Sequence, residues 1–143
     1  MKKISVLISA CGFIFFACQK NAITGRRSLN LIPESEMIAL SLTEYDQFLK
    51  EHQTLPGYHK NTILVRNVGI KIQKAVEKYY AEKGLSNQLA GFKWEFNVVE
   101  ENVVNAWCMP GGKVVVYTGL LPVTQDEASL AIVMGHEIAH AIA

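Results

Sequence analysis

Cysteine is scarce in this 143-residue chain: Cys11, Cys18 and Cys108 are all it has. No two of them stand in a Cys-x-x-Cys pattern, which excludes zinc-ribbon and thioredoxin-like motifs. Excess charge is absent as well. Lys plus Arg number 14 against 13 Asp plus Glu, a formal net charge of +1. The basic stretch "GRR" at 25–27 is too short for a nucleic-acid footprint, so nucleic acid is excluded as a partner. A membrane-length apolar run is missing too. The stretch from Ile4 to Ala17 is closed by Gln19 and Lys20, short of the roughly 20 residues a span needs. There is no internal repeat and no low-complexity tract. What remains is one globular domain, half of its residues hydrophobic and 19% charged.

The N-terminus carries a targeting pattern. Lys2 and Lys3 precede the apolar run, as in a secretory signal peptide. "FFAC" sets a small residue, Ala17, before Cys18, a pattern that resembles bacterial lipoprotein signals. "ISAC" before Cys11 is nearer the usual lipobox but leaves an apolar region of only Ile4 to Ala10. Cys18 keeps the whole apolar run inside the leader and is the favoured lipid anchor. The expected organisation is a leader over 1–17, a tether over 18–32 and a folded part over 33–143. The expected location is the cell envelope, facing the periplasm, with the membrane reached through the lipid. Cys108 then has no disulfide partner.

Two helices are expected first. "PESEMIALSLTEYDQFLKEH" (33–52) puts Pro33 at a first helical position, with Glu34 and Glu36 in the first turn. Its apolar residues Met37, Leu40, Tyr45, Phe48 and Leu49 roughly follow helical spacing. The second helix runs from about Thr62 to Lys83 and is stopped by Gly84, with Val65, Val68, Ile72, Ala75, Val76 and Tyr79 on its buried face. Strands follow. "KWEFNVV" (93–99) alternates in period two. "VVNAWCM" (103–109) and "KVVVYTG" (113–119) flank "PGG", a hairpin signal. The last helix begins near Thr124, where "TQDE" fits a capping box of Thr124 with Glu127.

That last helix is nearly all apolar from Ala128 onward, so it is expected to be central and buried. Set into it are His136, Glu137 and His140. Positions four apart lie about 40° apart around a helix, one turn along. Both imidazoles therefore face one way and can grip one ion. Two neutral imidazoles suit zinc, one per chain. Glu137, offset by one residue, is placed to take a proton from a water at that ion. This is the helical H-E-x-x-H pattern. Burying three such groups on an apolar helix for structure alone would be costly.

"NAWCMPGGKVVVYTGLL" (105–121) followed by "EASLAIVMGHEIAHA" (127–141) resembles the HtpX-like zinc metallopeptidases of peptidase family M48, and "ITGRRSLNLIPESEM" (23–37) is similar to the mature N-termini of their periplasmic or lipoprotein members. The resemblance spans about residues 20 to 143. It implies zinc ligands at His136 and His140 and a catalytic base at Glu137. It also implies a strand beside the active-site helix that takes an extended substrate by backbone pairing. Asn105, Ala106, Trp107, Cys108 and Met109 are then the candidate contacts. The family resembles other gluzincins in drawing a third ligand, a Glu, from a later helix, which places that ligand beyond residue 143.

The expected fold is α+β and gluzincin-like: N-terminal helices and a small antiparallel sheet packed on the H-E-x-x-H helix. The expected function is zinc-dependent endopeptidase action in the cell envelope on extended or misfolded polypeptides, with this chain a fragment of the enzyme. The alternative is a lipid-anchored peptide-binding module without catalysis. Neither reading fixes an oligomeric state.

Overall fold

A computed structural model describes residues 32–142, together with the backbone of 18–20 and 27–29. The expected leader over 1–17, with Cys11, lies outside the described residues, and so does the side chain of Cys18. Within the stretch read as a tether, β1 (Cys18–Lys20) pairs antiparallel with β2 (Arg27–Leu29).

Helix α1 spans Glu34–Glu51. Pro33 is its N-cap, one place earlier than expected, and its carbonyl accepts the amides of Glu36 and Met37 at 3.0 and 3.1 Å. The packed stripe is also shifted. Met37 and Leu40 are exposed, whereas Ile38 reaches inward over Gly111 and leads to buried Tyr45 and half-buried Phe48 and Leu49. These positions keep i, i+3, i+4 spacing, one residue out of the phase read from Met37.

Helix α2 spans Lys60–Glu82. His59 caps its start, Nδ1 accepting the Asn61 amide at 3.2 Å. Gly84, at φ +69°, turns the chain out of the helix, and the Leu85 amide closes on the Tyr80 carbonyl at 2.8 Å. Tyr80, not Tyr79, is the buried tyrosine, and Ala75 is exposed. The inward stripe passes through Ile72, Val76 and Tyr80 at steps of four, which carries it past Tyr79.

The sheet has three strands, β3 (Glu95–Val99), β4 (Ala106–Met109) and β5 (Lys113–Tyr117), in the order β3-β5-β4. The α+β class stands. The hairpin around Pro110–Gly112 is antiparallel, with Gly111 and Gly112 at φ +90° and +84°. The sheet as a whole is mixed, not antiparallel, because β3 runs parallel to β5. The reason lies in the link from β3 to β4. It passes over the end of β5 and leaves a vacancy that β5 fills on its return. Gly119 makes that passage possible: a Cβ there would meet the Val103 backbone at 2.6–2.7 Å.

Alternation along β5 sorts the core into two layers. Val114 and Val116 face α2 and the last helix, joining Phe96, Val98, Leu130, Met134 and Ile138. Val115 and Tyr117 face α1, joining Val99 and Tyr45. A short helix α3 (Leu121–Thr124) precedes α4 (Glu127–Ile142). The expected capping box does not form. Thr124 Oγ1 bonds back to the Leu121 carbonyl at 3.1 Å, and Asp126 caps α4 by accepting the Ser129 amide at 2.7 Å. Aspartate is as good a cap as threonine or better, and it stands next to the first helical residue.

Helix α4 is not buried all round. Leu130, Met134 and Ile138 are sealed against β4 and α2, while Ile132 is 74% exposed and His136, Ala139 and His140 are open to solvent. Its apolar sequence overstates its burial because two layers, not a full shell, pack on it among the described residues. None of the described helices is long and apolar enough to cross a membrane.

Candidate metal and peptide site

The site is built on α4 and the strand beside it. Leu130, Met134 and Ile138 fix the rotation of α4 against the sheet. That rotation turns His136 and His140 to the open side and Glu137 partly inward. The two Nε2 atoms converge to 3.0 Å, with the rings perpendicular and their centroids 4.4 Å apart. Two nitrogens on one tetrahedral zinc, each at ~2.0–2.1 Å, would stand roughly 3.3 Å apart. The imidazole pair therefore has the donor type and the spacing for one such ion. The described residues hold no group of three His, Cys, Asp or Glu able to bind a metal, so they offer two ligands. The other two histidines are engaged elsewhere. His59 caps α2, and His52 Nδ1 bonds Glu101 Oε1 at 2.5 Å.

Strand β4 packs directly on α4 and forms one edge of the sheet. The Tyr117 amide bonds the Asn105 carbonyl at 3.1 Å, and the register then pairs Trp107 with Val115 and Met109 with Lys113. Antiparallel alternation turns the backbone groups of Asn105, Trp107 and Met109 toward β5 and those of Ala106 and Cys108 outward. The outward Ala106 amide is met by the chain's own Asn105 Oδ1 at 2.9 Å.

The five residues expected as peptide contacts thus divide. Ala106 and Cys108 lie on the α4 side and offer edge backbone. Trp107 and Met109 send their side chains to the α1 side, among Tyr45, Val99 and Tyr117, away from the histidines. Pleating forces this split, since successive side chains of a strand take opposite faces. Burial, and then the nearby Glu137 carboxylate, push the Cys108 thiol up to about 12. Cys108 is a neutral packed residue on the α4 side of the strand.

On the far side of the sheet a second polar cluster is fully satisfied. Lys113 Nζ bonds Glu95 Oε2 at 2.9 Å, and Asn97 Nδ2 bonds both Glu95 Oε1 and Tyr45 Oη at 2.8 Å. Burial, with the Glu95 charge adding to it, raises the Tyr45 hydroxyl well above its ordinary value. For Glu95 burial pulls upward, but the bond and charge of Lys113 outweigh it and hold the carboxyl below its usual range.

A model of peptidase family M48 matches residues 69–143, from the middle of α2 through the histidine helix. The chain belongs to peptidase family M48. Curated relatives agree with the M48 assignment. The mitochondrial metalloendopeptidase OMA1 of Arabidopsis thaliana is 46% identical over 72 residues, 50% of this chain and 15% of that protein. The OMA1 proteins of Schizosaccharomyces pombe and Saccharomyces cerevisiae are each 31% identical, over 96% and 99% of this chain and 38% and 42% of theirs. The chain thus spans less than half the length of each of these relatives. Their mitochondrial setting overturns the periplasm-facing lipoprotein location expected from residues 1–20. A basic start and a short apolar run report a segment's affinity for membranes and translocation machinery, not which membrane it meets. M48 membership also makes metal dependence the expected chemistry of the family to which the histidine helix belongs.

Sequence reasoning missed the pairing of His52 with Glu101 and the edge-on contact of Phe48 with Trp107. Nothing local marks either contact, because they join residues 49 and 59 positions apart.

Proposed function

We propose that the protein is a zinc-dependent endopeptidase whose substrate is an extended or unfolded polypeptide, and that His136, His140 and Glu137 belong to its reactive centre. The convergence of the two Nε2 atoms to 3.0 Å, beside a strand edge left unpaired among the described residues, carries this reading. His136 and His140 would hold one zinc ion through Nε2. Zinc in such a setting supplies a Lewis acid for the peptide carbonyl and activates water.

This chain's own groups account for the rest. The outward amides and carbonyls of Ala106 and Cys108 pair with an extended peptide as one more strand. The Asn105 side chain, seated on the Ala106 amide, must yield to the incoming peptide carbonyl. Pairing lays the peptide along α4 and brings one carbonyl to the histidine side. The Glu137 carboxylate accepts a proton from the attacking water and delivers it to the leaving amine nitrogen. Backbone pairing reads extension rather than sequence, so folded chains are excluded and unfolded ones accepted.

The test uses the full-length protein, loaded with zinc and offered an unfolded protein and its folded counterpart. Zinc-dependent cleavage of the unfolded form alone is the expected result. Cleavage that survives removal of zinc, or that persists in a His136→Ala/His140→Ala double variant, would overturn the reading.

A further inference from the structure

The segment from Glu101 to Trp107 leads into the strand edge left unpaired among the described residues, and it is held at its two ends by the last turn of α1 and the C-cap residue that follows it. At the first end the Glu101 carbonyl accepts bonds from the Val103 amide (2.9 Å), Thr118 Oγ1 (2.8 Å) and the Gly119 amide (3.1 Å). Its carboxylate takes the bond from His52 Nδ1 at 2.5 Å. An ionised carboxylate is an acceptor only, so Nδ1 carries the proton. At the second end the Trp107 ring meets Phe48 edge-on at 4.9 Å and Tyr45 at 6.2 Å. Phe48 lies in the last turn of α1 and His52 is its C-cap, and the two rings stack at 4.1 Å and 23°. Between these holds, Asn102, Val103, Val104 and Asn105 are exposed.

We propose that the Phe48–His52 pair is a positioning clamp for the peptide-pairing edge: it fixes Glu101 on one side and Trp107 on the other, and so sets the line of the Ala106 and Cys108 backbone. The proposal rests on the reading of that edge as the peptide site. The clamp is separable from the fold. The end of α1 is tied to β3 independently, by the Glu100 amide on the Gln53 carbonyl at 2.9 Å, the Leu55 amide on the Val98 carbonyl at 2.8 Å and the bridge of Thr54 with Val99. Loss of His52 therefore frees the edge segment without releasing α1. His52 and Phe48 touch no reacting atom and act on binding, not on the proton transfer at Glu137.

The test compares wild type, His52→Ala and His52→Asn in the full-length protein. Asparagine places Nδ2 near the position of Nδ1 and keeps the bond to Glu101. Hydrogen exchange of the Trp107 and Tyr117 amides is measured without substrate, and KM and kcat with an unstructured peptide. His52→Ala should speed exchange at these two amides about tenfold, the effect of losing one bond to a charged group. Amides of Phe96 to Val98 should not change. KM should rise about fivefold with kcat within about twofold, the pattern of lost uniform binding. His52→Asn should restore most of both. Unchanged exchange at Trp107 and Tyr117, or equal acceleration in β3, or a fall in kcat at constant KM would each overturn the clamp. If the wild-type protein cleaves no peptide, the peptidase reading fails on its own, while the exchange measurement still decides whether His52 orders the edge.

Discussion

The Nε2 atoms of His136 and His140 stand 3.0 Å apart on the open side of α4, one helical turn separating their backbones. The pair is held there from behind, by Leu130, Met134 and Ile138, which are sealed in the core on the opposite stripe of the same helix. Removing either imidazole should leave that stripe, and hence the fold, in place. His140→Ala in the full-length protein should weaken zinc binding by more than the ~10–100-fold typical of changes to groups behind the ligands. Zinc content after dialysis, with circular dichroism as the check on folding, measures it.

Glu137→Gln should retain zinc and lose turnover. Glutamine nearly matches glutamate in size but cannot take the proton. A general base contributes about 10²–10⁴-fold, and kcat should fall by that order. Paired metal analysis and peptide cleavage test this, and near-normal cleavage would remove Glu137 from the mechanism.

Gly119→Ala should be destabilising. The new Cβ would meet backbone atoms of Val103 and Asn102 at 2.6–2.8 Å, and backbone cannot swing aside as a side chain can. Overpacking of this kind costs about 1–3 kcal/mol. Chemical denaturation of the variant should show a lower midpoint at an unchanged slope.

Stability should fall in acid through Glu95. Its folded-state pKa is depressed, chiefly by Lys113 working against burial. A depressed carboxylate contributes stability that is present above its unfolded pKa and is lost as pH falls through the folded one. Glu95→Gln should flatten that loss. At neutral pH it should cost up to about 1 kcal/mol, because Lys113 loses a charged partner but keeps an acceptor, and the 42% exposed Glu95 side chain is partly screened by solvent. Denaturation midpoints of both proteins between neutral and acid pH decide it.

Cys108 should be unreactive in the native protein. With its thiol pushed up to about 12, the thiolate is negligible at pH 8, and a thiol reagent should label it only after unfolding. Rapid native labelling would place it outside the packed layer between β4 and α4.

Local pattern carried much of this protein. The i, i+4 histidines with Glu137 between them follow from helical geometry alone, and the Pro-Gly-Gly turn and the period-two strand also rest on contacts within a few residues. These elements appear where the sequence puts them. The phase of α1 and the inward turn of Tyr80 in place of Tyr79 did not follow, because amphipathic spacing leaves a helix free by one residue until a partner surface fixes its rotation. The capping residue of α4 was ambiguous too, because the side-chain oxygens of Thr124 and Asp126 can both accept a first-turn amide and only Asp126 does so. Tertiary structure alone decided the parallel pairing of β3 with β5, since that depends on the Glu100–Asn105 link passing over Gly119. It alone decided that Ala106 and Cys108, rather than all of Asn105 to Met109, face outward from the edge, and that His52 and Glu101 meet. Sequence determines what a helix or a turn can do within its own reach. Register and long-range pairing are set by which surfaces come together, and the energy that selects them is not written in any short stretch of the chain.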